Sequence, residues 1–339
     1  MGGLMEVVFW SAVAVFLWGY LGYPALLALL GGWRGRPVAA APITPRVSLI
    51  VSVHNGELLI EGKLENCLVL NYPTDRLEIL VASDGSTDRT NDLVRRVRDP
   101  RIRLVAVDRH LGKEAAQRAA IIAASGEILV FTDVGVRLPE AGLRTLVSNF
   151  ADPAVGCVSG VDRLLDAAGA TVGEGAFVRY ETLLKRLESR VGSIVGNSGW
   201  LFALRRPLCE GWPESMASDF TMLLRTVRKG FRGVAEPGAP AYAVATPLAR
   251  REFARKVRTI VRGMVVLSAH PEMLNPLRHG LFAVQLASHK VLRWLLPYLL
   301  LAILGASAVL ATDSTFYQLV LVAQAIFYTA GALVPAARI

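Results

Sequence analysis

Residues 47–57 read VSLIVSVHNGE, in which a seven-residue pattern typical of a β-strand runs directly into polar and turn-forming residues. Three similar strand patterns follow, at 77–83 (LEILVAS), 102–107 (IRLVAV) and 128–132 (ILVFT). Helical patterns, at 88–97 and 113–124, lie between them. Strands that alternate with helices predict an α/β domain whose mostly parallel sheet is covered on both faces.

Polar clusters follow three of the four predicted strands. They are HNGE at 54–57, DGS at 84–86 and DVG at 133–135. Each cluster by itself is typical of a turn or a helix N-cap. Because ligands of open α/β sheets bind beyond the carboxyl ends of the strands, the three clusters together favour a binding site.

Three apolar segments flank this domain, at 7–30, 291–311 and 316–335. Each is long enough to cross a hydrocarbon core of about 30 Å as a helix. The first lacks the basic start and small-residue cleavage site of a signal peptide, which indicates a retained anchor. Basic residues after the first segment and before the second predict that the central domain lies in the cytosol. We expect three membrane spans, with 281–290 as an interfacial lead-in helix rather than a span of its own.

The predicted organisation therefore has five parts. They are an anchor at 1–31, a linker rich in Gly and Pro at 32–46, the α/β domain at 47–245, basic amphipathic and interfacial helices at 246–290, and a membrane hairpin at 291–339.

Composition limits the partners that the chain can have. Hydrophobic residues make up 53% of it, and 37 Lys and Arg against 28 Asp and Glu give a net charge of +9. That charge suits anionic lipid, a phosphorylated small molecule or nucleic acid. We expect no nucleic-acid partner, because the cations lie beside the apolar segments and on one helix rather than between stacking aromatics. Three distant cysteines predict reduced thiols rather than a metal site.

Seven motifs together resemble the inverting family 2 glycosyltransferases of GT-A fold, which include cellulose, hyaluronan and chitin synthases and many bacterial polysaccharide or glycolipid enzymes. The motifs are VSLIVSVHNGE, ILVASDGSTDRT, GKEAAQRAA, GEILVFTDVGVRL, GNSGWLFALRR, ASDF and RKVRTIVRG. The resemblance implies a membrane-anchored enzyme with a Rossmann-like, mostly parallel sheet. Its donor would be a nucleoside-diphosphate sugar carrying UDP or GDP.

The resemblance also implies which residues bind that donor. Asp84 would accept from the base, and a carboxylate suits uracil and guanine equally. Lys113, at a helix start, would contact the phosphates, although a solvated first-turn lysine is the alternative. The remaining residues implied at the nucleoside end are Ser52, His54, Asn55 and Glu57.

Asp133 matches the first carboxylate of the family's Asp-x-Asp motif, which holds Mg²⁺ or Mn²⁺ against the donor phosphates. Gly135 stands where the second carboxylate is usual, so we expect weak metal binding. Asp219 matches the family's general base, which takes the proton of the acceptor hydroxyl. Ser218 or Asp219 would equally serve as the N-cap of the helix that follows.

The last motif predicts an amphipathic helix with arginines at 251, 255, 258 and 262 on one face. Arg258 and Arg262 would contact either anionic lipid headgroups or the donor diphosphate. The Gln-x-x-Arg-Trp motif of polysaccharide synthases is absent, and Ile260 stands in place of its tryptophan. Trp200 would stack on an acceptor sugar or pack in the core.

These expectations favour transfer of one or a few sugars to a lipid or glycan acceptor, by an integral protein of a bacterial or archaeal plasma membrane that contacts membrane lipids. The missing tryptophan motif makes a processive polysaccharide synthase the second choice within the same class. A non-catalytic scaffold or nucleotide-sugar sensor of the same fold is the rival from another class.

Overall fold

A computed structural model describes residues 2–166, 168–172, 175–213, 215–244 and 249–336 of the 339-residue chain. Eight β-strands form one sheet within these residues. The strands are β1 Val47–Val53, β2 Leu77–Asp84, β3 Ile102–Val107, β4 Ile128–Asp133, β5 Val155–Leu165, β6 Thr171–Val172, β7 Leu201–Arg205 and β8 Arg232–Val244.

The sheet has the strand order β3-β2-β1-β4-β7-β5-β6, and β8 pairs with β5. The pairs β1–β2, β1–β4, β2–β3 and β5–β8 are parallel, whereas β7 runs antiparallel to β4 and β5. The predicted α/β fold with a mostly parallel sheet is therefore confirmed. In register, Ser52 of β1 pairs with Ala82 of β2 on one side and with Asp133 of β4 on the other. This register brings the polar clusters to one edge.

Thirteen α-helices accompany the sheet in the described residues. They are α1 Gly2–Leu17, α2 Tyr23–Arg34, α3 Ile60–Leu68, α4 Thr90–Arg96, α5 Lys113–Ala123, α6 Gly142–Ser148, α7 Ala176–Val191, α8 Ser218–Arg228, α9 Ala249–Ala269, α10 Pro276–His279, α11 Leu281–Gln285, α12 Leu292–Leu310 and α13 Thr315–Ala336.

Both faces of the central strands are buried, which explains their almost continuous apolar sequence. Along β1, Leu49 and Val51 belong to one core cluster, and Ile50 between them belongs to another. Helix α5 covers the second face through Ala116 and Ala120. Small side chains on α5 bring its first turn close to the sheet edge.

Two continuous helices, Gly2–Arg34 and Leu281–Leu310, are long and apolar enough to span a membrane. A π-helical segment interrupts each of them, at Trp18–Gly22 and Leu286–Val291. The expected lead-in at 281–290 continues into the second predicted span as one helix, and its interfacial position stays a prediction. The π-helical turn keeps its backbone bonded, so nothing ends the helix there.

Helices α1, α12 and α13 pack against one another. Phe9 and Ala12 of α1 share a buried cluster with Ile303 and Ala306 of α12 and with Tyr317 of α13. The third predicted span corresponds to helix α13. Its membrane crossing and the cytosolic side of the sheet domain stay predictions.

Candidate active site

A cleft with two lobes lies at the carboxyl edge of the sheet. The strand-end lobe, a cavity of about 290 Å³, is lined by Ser52, His54, Asp84, His110, Lys113 and Asp133 among others. The helix lobe, of about 460 Å³, is lined by Lys113, Asp133, Asp162, Trp200, Asp219, Arg255, Arg258, Arg262, Lys290 and Trp294 among others. Lys113 and Asp133 line both lobes and join them into one cleft.

Asp84, at the end of β2, is buried and holds the loop that leads into α5. Its carboxylate accepts from the backbone N–H groups of Leu111 at 2.8 Å and Gly112 at 3.0 Å. His110 Nδ1 lies 2.8 Å from the same carboxylate. Most of the accepting capacity of Asp84 is thus already in use within the chain. Its predicted bond to a nucleobase stays a prediction.

Gly85 makes this loop arrangement possible. Its φ is +59°, and a Cβ there would lie 2.3 Å from the backbone of Arg109 and His110. A glycine is therefore required where the turn after β2 meets the loop before α5.

Two histidines stand beside Asp84 at the strand-end lobe. The rings of His54 and His110 have centroids 4.0 Å apart. His54 Nδ1 lies 2.6 Å from the backbone oxygen of Asp84, so that nitrogen carries the proton. The ligating atoms of His54, Asp84 and His110 lie within 4.8 Å of one another, close enough for a metal ion. The Asp84 carboxylate is, however, committed to the loop.

Asn55 and Glu57 line neither lobe and instead connect the loops after β1 and β2. Asn55 Oδ1 accepts from Thr87 N–H at 2.8 Å, and Asn55 has a φ of +49°. Glu57 Oε2 accepts from the backbone N–H and from Nε of Arg89, both at 3.2 Å. The structure gives these two residues contacts that support the lobe from outside.

Lys113 and Asp133 form an ion pair where the two lobes meet. Lys113 Nζ lies 2.5 Å from Asp133 Oδ1 and 3.3 Å from the carbonyl oxygen of Gly199. Oδ1 is buried, and no described group gives it a well-formed hydrogen bond. Each side chain is 33% exposed, so the pair contributes little to stability and can be exchanged for a ligand.

Lys63, from α3, fixes the turn that carries Asp133. Its side chain is buried, and Nζ donates to the carbonyl oxygen of Val136 at 2.5 Å and to Thr132 Oγ1 at 3.3 Å. Burial, which disfavours the charged form, lowers the pKa of Lys63. The turn at 133–136 is thus held from behind by a buried amine.

Asp219 lies in the first turn of α8 and is partly exposed to the helix lobe. The N-cap of α8 is Ala217, without a side-chain bond, so the N-cap role expected for Ser218 or Asp219 is wrong. Asn197 Nδ2 donates to the backbone oxygen of Asp219 at 2.9 Å. A Cβ on Gly199 would lie 3.6 Å from Asp219 Oδ2. The carboxylate itself faces the cavity.

A buried hydrogen-bond chain connects the two lobes behind these side chains. Ser218 Oγ donates to Gln117 Oε1 at 3.0 Å, and Gln117 Nε2 donates to Ser52 Oγ at 3.2 Å. All three residues are buried. Ser52, which is predicted to bind the sugar donor, is therefore linked through Gln117 of α5 to the helix that carries Asp219.

Trp200 lines the helix lobe together with Asp162, a carboxylate that the sequence motifs did not indicate. The guanidinium of Arg255 lies 5.9 Å from the ring of Trp200. The backbone N–H of Trp200 donates to Ser198 Oγ, which in turn contacts Asp162. Asp162 itself is exposed on the wall of this lobe.

The arginine face of α9 turns towards the helix lobe. Arg258 and Arg262 both line it, and Arg262 pairs with the buried Glu114 of α5. Arg251 lies outside the residues whose side chains the structure describes. On the opposite face Phe253 is 70% exposed and Val257 43% exposed. The structure agrees with both interpretations of this helix, contact with the donor diphosphate and contact with lipid. Its arginines line the cavity, and its apolar face is exposed.

The geometry can now be set beside known proteins. The family model described as glycosyl transferase family 2 matches residues 48–209. An N-acetylglucosaminyltransferase of Bradyrhizobium elkanii is 33% identical over 129 residues, which cover 36% of this chain and 68% of that protein. The chain belongs to glycosyltransferase family 2.

Two further family relatives cover more of the chain. A probable glycosyltransferase, YdaM of Bacillus subtilis (strain 168), is 28% identical over 202 residues, or 55% of this chain and 48% of that protein. The chain thus spans about half the length of that curated relative. The mannosyltransferase PcManGT from Pyrobaculum calidifontis, in complex with GDP-Man and Mn²⁺, superposes with a TM-score of 0.76 at 28% identity, covering 97% of this chain and 92% of that one.

The family 2 motifs did not indicate four titratable residues that line or support the cleft. His110, Asp162 and Lys290 line it, and Lys63 supports the turn with Asp133. His110 had a usable signal, because it follows the end of β3 at the same sheet edge. Lys63 lies within α3 and Asp162 within β5, and neither belongs to a motif. The sequence predicts Lys290 at the membrane interface, as part of the segment 281–290.

Proposed function

We propose that this chain transfers a sugar from a nucleoside-diphosphate sugar to an acceptor hydroxyl, with inversion at the anomeric carbon. The observation that carries the proposal is the shared wall of the two lobes. Lys113 and Asp133 line both, and Asp219 lines the second. A donor with its nucleoside in the strand-end lobe and its diphosphate at Lys113 would expose its sugar towards Asp219.

Ser52, His54 and Asp84 line the nucleoside end of the proposed donor site. A carboxylate can accept from uracil or from guanine, so UDP and GDP sugars are both candidates. In this proposal Asn55 and Glu57 act by fixing the two loops around the base. Lys113 lies in the first turn of α5, and a cation at a helix N-terminus favours phosphate.

The residues at Asp133 fit a divalent cation, Mg²⁺ or Mn²⁺. Asp133 Oδ1 is a buried carboxylate oxygen whose polar contact is a displaceable ammonium, and hard cations take oxygen ligands. When bound, such a cation would stabilise the negative charge of the departing diphosphate. Lys113 would then transfer its contact from Asp133 to a phosphate oxygen.

Asp219 is the proposed general base. The acceptor oxygen would bond to the anomeric carbon as the bond from that carbon to the diphosphate oxygen breaks. The hydroxyl proton would pass to Asp219, and the electron pair would leave with the nucleoside diphosphate. Arg258 and Arg262 lie on the wall of the same lobe, where guanidinium groups can pair with phosphate oxygens.

The acceptor is proposed to be a lipid or glycan reached at a membrane surface. Lys290 and Trp294 of a candidate membrane-spanning helix line the helix lobe, which supports this choice. Trp200 would stack on the acceptor sugar. We propose three spans, a cytosolic catalytic domain in a bacterial or archaeal plasma membrane, and one or a few transfers for each acceptor, since Ile260 replaces the synthase tryptophan.

The experiment compares Asp219→Asn with Asp162→Asn in the purified full chain. Transfer from labelled UDP- and GDP-sugars to membrane extracts gives turnover, and calorimetry with UDP or GDP and Mn²⁺ gives donor binding. We expect D219N to lower kcat by roughly a thousandfold, the range of general base catalysis, with nucleotide affinity unchanged. D162N should lower it much less.

Undiminished turnover in D219N would refute the role of Asp219. If the wild-type chain bound nucleotide but neither transferred nor hydrolysed any labelled sugar, the non-catalytic scaffold or sensor would be preferred.

A further inference from the structure

Lys290 reaches the helix lobe from the membrane side of the molecule. It lies in the continuous helix Leu281–Leu310, and its Nζ is 3.6 Å from the ring centroid of Phe220, the residue after Asp219. Gly196 leaves the space for it, because a Cβ there would lie 3.1 Å from Nζ. A membrane helix thus delivers a cation next to the proposed base.

The charge of Lys290 is less well compensated than that of its neighbours. Lys113 is paired with Asp133, and Arg262 with Glu114. Lys290 forms no ion pair with any carboxylate in the described part of the chain, and its hydrogen bond to the Val195 carbonyl oxygen is long, at 3.4 Å. An ammonium has three N–H donors, so donors remain for a ligand in the lobe.

Arg258 is a second such cation on the same wall. It lines the helix lobe, it is exposed, and it has no ion pair with a described carboxylate. The donor diphosphate already has Lys113 and the first turn of α5 on the other side of the lobe. A second anionic group would satisfy Lys290 and Arg258, whereas the hydroxyls of a neutral glycan would not.

We infer that Lys290, together with Arg258, binds a phosphate group of the acceptor, and that the acceptor is therefore a lipid with a phosphorylated head. The inference rests on the proposed function. The lipid part follows from Trp294, one turn along the helix from Lys290 and also in the lobe. Beyond it the helix exposes Leu295, Tyr298 and Leu301, an apolar path for a hydrocarbon tail.

The test is a titration of the purified full chain, in neutral detergent, with hexyl phosphate, hexanol and inorganic phosphate. These soluble probes separate the anionic head from the tail. The variants are Lys290→Gln, Lys290→Arg and, as the matched control, Arg278→Gln, which removes an exposed charge shortly before the same helix and outside both lobes. Nucleotide affinity, with UDP or GDP and Mn²⁺, is measured in parallel.

We expect the wild-type chain to bind hexyl phosphate at least tenfold more tightly than hexanol or inorganic phosphate. K290Q should lose about tenfold of this affinity, which is the scale of one charge-assisted hydrogen bond, and K290R and R278Q should keep most of it. Nucleotide affinity should not change in K290Q.

Three results would overturn the inference. They are equal binding of hexyl phosphate and hexanol by the wild-type chain, unchanged hexyl phosphate binding in K290Q, and weaker nucleotide binding in K290Q, which would assign Lys290 to the donor. If inorganic phosphate bound as tightly as hexyl phosphate, the conclusion that the acceptor is a lipid would be overturned. The wild-type comparison needs no variant to fold. It also involves no nucleotide, so failure of the proposed donor chemistry is read separately.

Discussion

The strand-end lobe and the helix lobe differ in how their charged groups are held. In the strand-end lobe Asp84 is held by backbone N–H groups of Leu111 and Gly112, close by in the same α/β unit. In the helix lobe the charged groups come from separate elements, including α5, α8, α9 and the Leu281–Leu310 helix. Local backbone geometry shapes the first lobe, and helix docking shapes the second.

The comparison teaches that charge has different uses in the two lobes. A carboxylate that accepts several backbone bonds, as Asp84 does, has an architectural role besides any bond to a ligand, since removing it leaves buried donors unpaired. A cation such as Arg258 that has no described partner is available to a ligand. Three predictions test this difference, beginning with the largest expected effect.

Gly85→Ala should be the most damaging change to the strand-end lobe. A Cβ would overlap the backbone of the Arg109–His110 loop at a positive φ, so we expect a loss of about 3–5 kcal/mol in the free energy of unfolding, with no measurable nucleotide binding. The matched control is Gly135→Ala, because a Cβ on Gly135 would meet only Leu59, at 3.9 Å. Thermal unfolding in detergent measures both. Equal stability of the two variants would contradict a locally determined strand-end lobe.

Arg262→Gln and Arg258→Gln should separate architecture from binding within the helix lobe. The side chain of Glu114 is 9% exposed and that of Arg262 is 42% exposed. Removal of the Arg262 charge therefore leaves a largely buried carboxylate without its ion-pair partner. With the exposure of Arg262 discounted, R262Q should lose about 1–2 kcal/mol of stability.

R258Q should leave stability within about 0.5 kcal/mol while turnover falls roughly tenfold. Unfolding curves and initial rates provide the measurements. A destabilised R258Q variant would assign both arginines to architecture and would remove the contrast.

Gly135→Asp should produce the smallest effect, which should be a gain in Mn²⁺ affinity. The position is exposed and has room for a side chain, so a second carboxylate can join Asp133 in the usual family spacing. We expect the Mn²⁺ concentration for half-maximal nucleotide binding to fall by roughly threefold to tenfold, because an added anionic oxygen ligand strengthens hard-cation binding. Gly135→Asn is the control. An unchanged Mn²⁺ dependence would argue that Asp133 does not face the metal.

Much of the strand-end lobe was predictable because its determinants are local. Strand patterns ended at or within one residue of the observed strands, and the register then brought Ser52 and Asp133 side by side. The bonds of the Asp84 carboxylate to the loop before α5 were not predictable. A motif indicates which residue type follows a strand, but the backbone N–H groups that its carboxylate meets depend on how the loop before α5 folds back.

The helix lobe was predictable only in part. The spacing of the arginines on α9 indicated one face, and the structure turns that face towards Asp219. Nothing in the spacing indicated that Arg262 pairs with Glu114, because the two residues are 148 positions apart. The sequence predicts Lys290 at the membrane surface, because it lies in the interfacial lead-in helix expected at 281–290.

The sequence by itself determined the fold class, the membrane-candidate helices at both ends and the order of the three aspartates, because strand alternation, apolar length and motif order are local properties of a chain. The tertiary structure alone decided which charges meet. It placed the Asp84 carboxylate against the loop before α5, Lys63 against the turn that follows Asp133, and Lys290 on the cavity wall beside Asp219. The partnerships of Lys63 and Lys290 join positions far apart in the chain, and only the packing of separate helices brings such positions into contact.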